Sequence, residues 1–134
     1  HTVFAFDFER AGGAISNQRV CAPFPVKTAD QDLKTYGGRP DGAAIDSEGH
    51  YWCAMFEGAR LLRFAPDGTQ THEIQLPVRC PTMPCFGGAD LKTLYITTAR
   101  EKRPTEELAR EPLAGCVLQL RVEVPGLPAN FARL

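Results

Sequence analysis

Two Pro-Asp-Gly triplets hold the residues best placed for chemistry, Pro40-Asp41-Gly42 and Pro66-Asp67-Gly68. A carboxylate fixed by a rigid turn can bind a hard cation or take a proton from water. The same triplet is also a turn-former. Proline presets φ, aspartate bonds the backbone further on, and glycine accepts positive φ. Asp67 lies between two strand-like runs, 59–65 and 69–76, and reads as a hairpin turn. Asp41 precedes the small apolar run 42–46. On the residues alone the turn role is the expectation for both.

Other chemistries find little support. The serines, Ser16 and Ser47, fall in a hairpin and a turn, and no Gly-x-Ser-x-Gly elbow exists. His50 follows a tight turn, His72 sits on a polar strand, and neither has a triad partner. The five cysteines, at 21, 53, 80, 85 and 116, form no Cys-x-x-Cys pair. Neither histidine is spaced from Cys80 and Cys85 as a zinc finger requires. Cys53 and Cys116 adjoin apolar runs and read as buried, and all five as free thiols of a reducing, cytoplasmic compartment. A Cys80–Cys85 disulfide is the less favoured alternative.

The elements that must carry these residues are short strands. Residues 2–8 and 14–21 are strand-like runs around Gly12-Gly13, so 1–24 reads as a hairpin. Residues 22–39 are mostly connection. Four strands follow within 41–76, joined by Ser47-Glu48-Gly49, Glu57-Gly58 and Pro66-Asp67-Gly68. His50 to Phe56 is nearly all apolar, as in a strand covered on both faces. A similar unit then begins, with Tyr51-Trp52 matched by Leu94-Tyr95 and a last strand at 116–124. Residues 104–110 predict a short inserted helix with Thr105 as its N-cap and acidic residues in its first turn. Four strands per 40–45 residues is a β-propeller period, with a β-sandwich as competitor.

The chain has 134 residues, one domain's worth, with 15 Lys+Arg against 16 Asp+Glu. No basic block marks a nucleic-acid or anionic-membrane partner, and no apolar run reaches the ~20 residues of a membrane helix. The first residue is His1. The expectation is that a segment was removed or that this is a piece of a longer protein.

Five blocks in order give a resemblance. They are Arg39-Pro40-Asp41-Gly42-Ala43-Ala44-Ile45-Asp46, Gly49-His50-Tyr51-Trp52-Cys53-Ala54, Pro81-Thr82-Met83-Pro84-Cys85-Phe86-Gly87-Gly88, Leu94-Tyr95-Ile96-Thr97-Thr98-Ala99-Arg100, and Glu107-Leu108 with Pro112-Leu113-Ala114-Gly115. Together they resemble the C-terminal part of the regucalcin/gluconolactonase (senescence-marker-protein) family. The resemblance implies an all-β fold, about half of a six-bladed β-propeller: two blades plus an outer hairpin of a third. Residues 1–134 would be the C-terminal part of one propeller domain, with 1–24 the hairpin, 40–77 one blade, and 81–128 the last blade carrying the helix.

It further implies a metal-dependent hydrolase acting on a sugar lactone, with one divalent metal ion (Ca²⁺, Zn²⁺ or Mn²⁺). Asp41 would be both metal ligand and catalytic base, and the remaining ligands would lie upstream of His1. Thr82, Met83 and Cys85, at the next blade's start, would ring the same channel. Thr82 and Met83 are weak substrate-binding candidates whose ordinary role is packing. Glu57 and Arg100 would lie on the same face, where solvation is the simpler expectation. Two alternatives accompany this reading: a calcium-binding or regulatory propeller without catalysis, and a half-propeller that associates with a second chain.

Overall fold

In the computed structural model, which describes residues 1–129, the strand-like runs pair into three antiparallel sheets in chain order. Strands β1 (Thr2–Phe8) and β2 (Ile15–Pro23) make a hairpin. Strands β3 (Arg39–Ile45), β4 (Tyr51–Phe56), β5 (Arg60–Phe64) and β6 (Gln70–Gln75) make a four-stranded meander. Strands β7 (Pro81–Gly87), β8 (Thr93–Thr98) and β9 (Val117–Arg121) make the third sheet, with helix α1 (Thr105–Arg110) inserted before β9. Meanders stacked face to face are β-propeller blades. Residues 130–134 of the expected 1–134 unit lie outside the described residues.

Alternation along β4 explains the stacking. Cys53 and Met55 face the hairpin and pack with Ala22, Leu62 and Phe64, with Val3, Phe24 and Tyr51 at the margin. Trp52 and Ala54 face the other way and meet Leu61, Leu94 and Ile96. The middle sheet therefore has a core on each face, as its continuous apolar strand predicted. Burying a side chain such as Leu94 or Met55 contributes about 1.5–3 kcal/mol over leaving it in water.

Asp46 locks the turn from β3 to β4. It is fully buried and accepts hydrogen bonds from the Glu48 and His50 backbone N–H groups, both at 3.0 Å. Trp52 Nε1 donates to it at 2.9 Å and Arg63 Nε at 2.8 Å. Gly49 supplies the left-handed φ of 78° that lets the chain reverse. The end of β3 is thereby fastened to β4 and β5, which fixes where its beginning points.

Two local expectations are corrected. The N-cap of α1 is Pro104, not Thr105, and no side chain caps the helix. Proline serves here because its φ of −58° is already helix-compatible and the missing N–H costs nothing at a helix start. Cys116 is exposed rather than buried, because it ends the turn after Ala114-Gly115 and precedes β9. Cys53 and Cys80 are buried, and all five thiols are free.

Candidate functional site

Both blade-opening strands begin with a bulge. Pro40 pairs with Met55 but Ala43 pairs with Cys53, so Asp41 and Gly42 together oppose one residue. On β7, Pro81 pairs with Thr98 and Met83 with Thr97, which leaves Thr82 as the extra residue. A bulge turns a side chain out of the regular alternation, and bulges concentrate near functional sites. Asp41 is exposed on this bulge, while buried Cys53 lies just beneath it. Crowding at the strand entry raises the Asp41 carboxyl above the ordinary aspartate value, and the Arg39 charge offsets part of that rise. Burial pushes the Cys53 thiol up to about 11, so it is a packing group and not a nucleophile.

The structure brings Met83 and the Thr82 backbone against Gly42, the residue after Asp41. A Cβ on Gly42 would lie 2.6 Å from both the Met83 sulfur and the Thr82 carbonyl oxygen. Only glycine lets β7 come this close. Met83 is 48% exposed and lines, with Ala43, Ile45 and Cys85, a shallow groove of about 420 Å³ between the two opening strands. The Thr82 hydroxyl lies 2.7 Å from that of Thr97, a bond within its own sheet. Asp67 stands apart: it accepts a hydrogen bond from the Thr69 backbone at 2.9 Å, the turn role read from the sequence. Arg100 and His72 are exposed.

Glu57 is not the solvated surface residue that was expected. It is 7% exposed and gathers four cations. Arg39 Nη1 lies 2.7 Å from its carboxylate, Lys27 Nζ 3.1 Å, Arg79 Nη1 3.2 Å and Arg103 Nη1 3.4 Å. Burial alone would raise its carboxyl, but hydrogen bonds and charge from Lys27, then from Arg39 and Arg103, hold it at about 2. Its backbone is left-handed at φ 65°, and the neighbouring Gly58 packs directly on the Gly37 carbonyl. The arginines Arg39 and Arg103 also stack on the Phe56 ring, at 4.5 and 5.7 Å from its centroid. Arg79 forms a second ion pair, with Glu107.

The Glu57 cluster has no local signature in the sequence. Its cations come from 18 to 46 residues away, so no spacing rule brings them together. Two of the four cations, Arg39 and Arg79, do sit at or just before proline- or glycine-marked strand starts, and one acid opens the Glu57-Gly58 turn.

Among the described residues, no three His, Cys, Asp or Glu side chains gather as a metal site. Asp41 by itself fits a hard divalent cation: an exposed oxygen donor, aimed out of the strand by the bulge, with no side-chain hydrogen bond claiming it among the described contacts. Met83 and Cys85 are soft donors and do not suit such an ion.

Comparison with known proteins agrees with this architecture. Residues 1–100 match the family model described as SMP-30/Gluconolactonase/LRE-like region, and the chain belongs to that family. A 6-deoxy-6-sulfogluconolactonase of Pseudomonas putida is 64% identical over 90 residues, covering 67% of this chain and 31% of that protein. A regucalcin of Danio rerio is 39% identical over 128 residues, covering 94% of this chain and 40% of that protein. The crystal structure of a calcium-binding regucalcin from Agrobacterium tumefaciens superposes with a TM-score of 0.82 at 25% identity, over 99% of this chain and 42% of that one. The chain thus spans well under half the length of these relatives. The fold is all-β, part of a regucalcin-like propeller. Among the described residues no helix is long and apolar enough to cross a membrane.

Proposed function

We propose that this chain is the C-terminal part of a longer propeller that opens sugar lactones with one divalent cation, Ca²⁺, Zn²⁺ or Mn²⁺, held through Asp41. The observation that carries the reading is the Asp41 bulge at the entry of a blade-opening strand, in a family that includes a lactonase. The Pseudomonas putida relative is named for a sulfonated gluconolactone, and we extend that substrate class to this protein. The five free thiols support a reducing, cytoplasmic setting.

A bound divalent cation would polarise the lactone carbonyl. Asp41 would hold the ion and would also accept a proton from the attacking water. Water adds its oxygen to the carbonyl carbon, the ring C–O bond breaks, and the proton ends on the departing ring oxygen. The product is the open hydroxy acid. Met83 and the Thr82 backbone, which come from the next blade against Gly42, would border the substrate.

In the full-length protein, Asp41→Ala should abolish cation-dependent lactone hydrolysis, a loss of about 100-fold or more. Asp67→Ala should leave it nearly intact. Equal losses from the two changes would overturn the assignment. A calcium-binding propeller without turnover is the second reading, favoured by the calcium-binding structural neighbour. A lactone panel with each added cation separates the two, since that reading expects binding without ring opening.

A further inference from the structure

The Glu57 cluster has more positive charge than a structural tie requires. Lys27, Arg39 and Arg103 each find Glu57 as their sole carboxylate within 4.0 Å among the described residues. Arg79 is matched separately by Glu107. Three cations on one carboxylate leave two positive charges without an ion-pair partner within 4.0 Å among the described residues. The buried Nε–H of Arg103 and that of Arg79 have no acceptor. Two acceptor-capable atoms, Glu107 Oε1 and the hydroxyl of Tyr36 near Lys27, are also without partners, so the surplus that remains is one of positive charge. Side chains built only to fasten loops would pair charge with charge, because unpaired buried donors cost stability.

The surplus lies beside the lactone site. Arg39 is two residues before Asp41 on β3, and its charge is felt by the Asp41 carboxylate. The Arg39 side chain is 40% exposed, that of Lys27 32% and that of Arg103 15%, so the cluster opens to solvent at Arg39. Phe56 holds the Arg39 and Arg103 guanidinium groups against its ring, and Glu57 fixes one edge of each. A guanidinium oriented in this way can present its remaining N–H groups to a second oxyanion.

We propose that Arg39, with Lys27 and Arg103 behind it, forms an anion subsite that takes a tetrahedral oxyanion, sulfonate or phosphate, borne on the lactone carbon remote from the ring carbonyl. The subsite rests on the lactonase reading and adds its specificity. Sulfonate and phosphate share the tetrahedral oxyanion that guanidinium N–H groups read, and the two anionic lactones of the test separate them. Glu57 is then a positioning residue, holding Arg39 in place.

The test uses the full-length protein and three lactones: gluconolactone, its 6-deoxy-6-sulfo derivative and its 6-phosphate. The wild type should favour an anionic lactone over gluconolactone in kcat/KM by about tenfold or more, the worth of one charge-assisted contact. The preference should shrink as salt is raised. Arg39→Gln should cut the ratio of anionic to neutral turnover about tenfold, and Arg39→Lys should keep part of it. The sulfo and phospho arms identify the oxyanion. If Arg39→Gln fails to fold, inhibition of the wild type by 6-deoxy-6-sulfogluconate against gluconate, at two salt concentrations, gives the same answer. Equal kcat/KM for neutral and anionic lactones, or proportional loss on both in Arg39→Gln, overturns the subsite and leaves the lactonase reading standing. Ring opening of none of the three with any cation overturns the lactonase reading itself.

Discussion

Glu57 and Asp41 differ in almost every physical respect although both are acids at the same end of the strands. Asp41 stands exposed on a bulge, while Glu57 is buried among cations and held at about 2. A carboxyl lowered from 4.5 stabilises the fold at any pH above its unfolded value, and that contribution fades as the pH falls from about 4.5 toward 2. Glu57→Gln should therefore cost roughly 3 kcal/mol near neutral pH, where it strands its cations. It should also flatten the loss of stability between pH 5 and 2. Urea midpoints across that range check both points, and parallel curves for variant and wild type would count against the assignment. The place of Asp41 at a strand entry was legible in the sequence, because the Pro40-Asp41-Gly42 triplet and the small apolar run after it are adjacent. Glu57 was not, because its environment is assembled from four distant segments. Cys116 misled for the reverse reason: an apolar run beside it said nothing of the turn it ends.

The strands themselves could be read from composition, since β4 is an unbroken apolar run buried on both faces and β8 carries its burial in alternation. Their bulges could not, because an extra residue in a ladder leaves no compositional trace. Yet the bulges decide where Asp41 and Thr82 point. Gly42 permits the approach of β7 to this bulge, so Gly42→Ala should push the strands apart at a cost of about 1–3 kcal/mol. Gly13, left-handed at φ 74° in the first hairpin with open space around it, makes the control. Gly13→Ala should cost only about 1 kcal/mol of backbone strain. Thermal melts of the two variants compare them directly, and a smaller shift for Gly42→Ala would show that the β3–β7 contact is loose.

At the scale of the whole molecule, the middle sheet is covered on both faces while its neighbours are each covered on one. Phe4, Phe6 and Phe8 recur at every second residue of β1 and are 47%, 41% and 63% exposed, with Val20 at 58% on the partner strand. The third sheet leaves Tyr95 and Val117 exposed. Apolar surface of this extent invites association. The 134-residue chain in isolation should sediment faster as its concentration rises and bind a hydrophobic dye, and Phe6→Glu should reduce both. A concentration-independent monomer would contradict this. The period of the strands revealed the stacking in advance, whereas which flanks stay open is a property of the assembled sheets. The Glu57 cluster, finally, has a bearing on time. Its partners arrive from residues 27, 39, 79 and 103, so the cluster closes only after both blades and the segment leading into the helix have met. Contacts that close such long loops are expected late on the folding route, absent from the transition state. Their loss then falls on the escape rate from the native state rather than on the rate of reaching it. In a chevron plot, Glu57→Gln should steepen nothing and slow little on the refolding arm, while lifting the unfolding arm by most of the stability it removes: the cluster acts as a latch that sets how long the folded chain lasts.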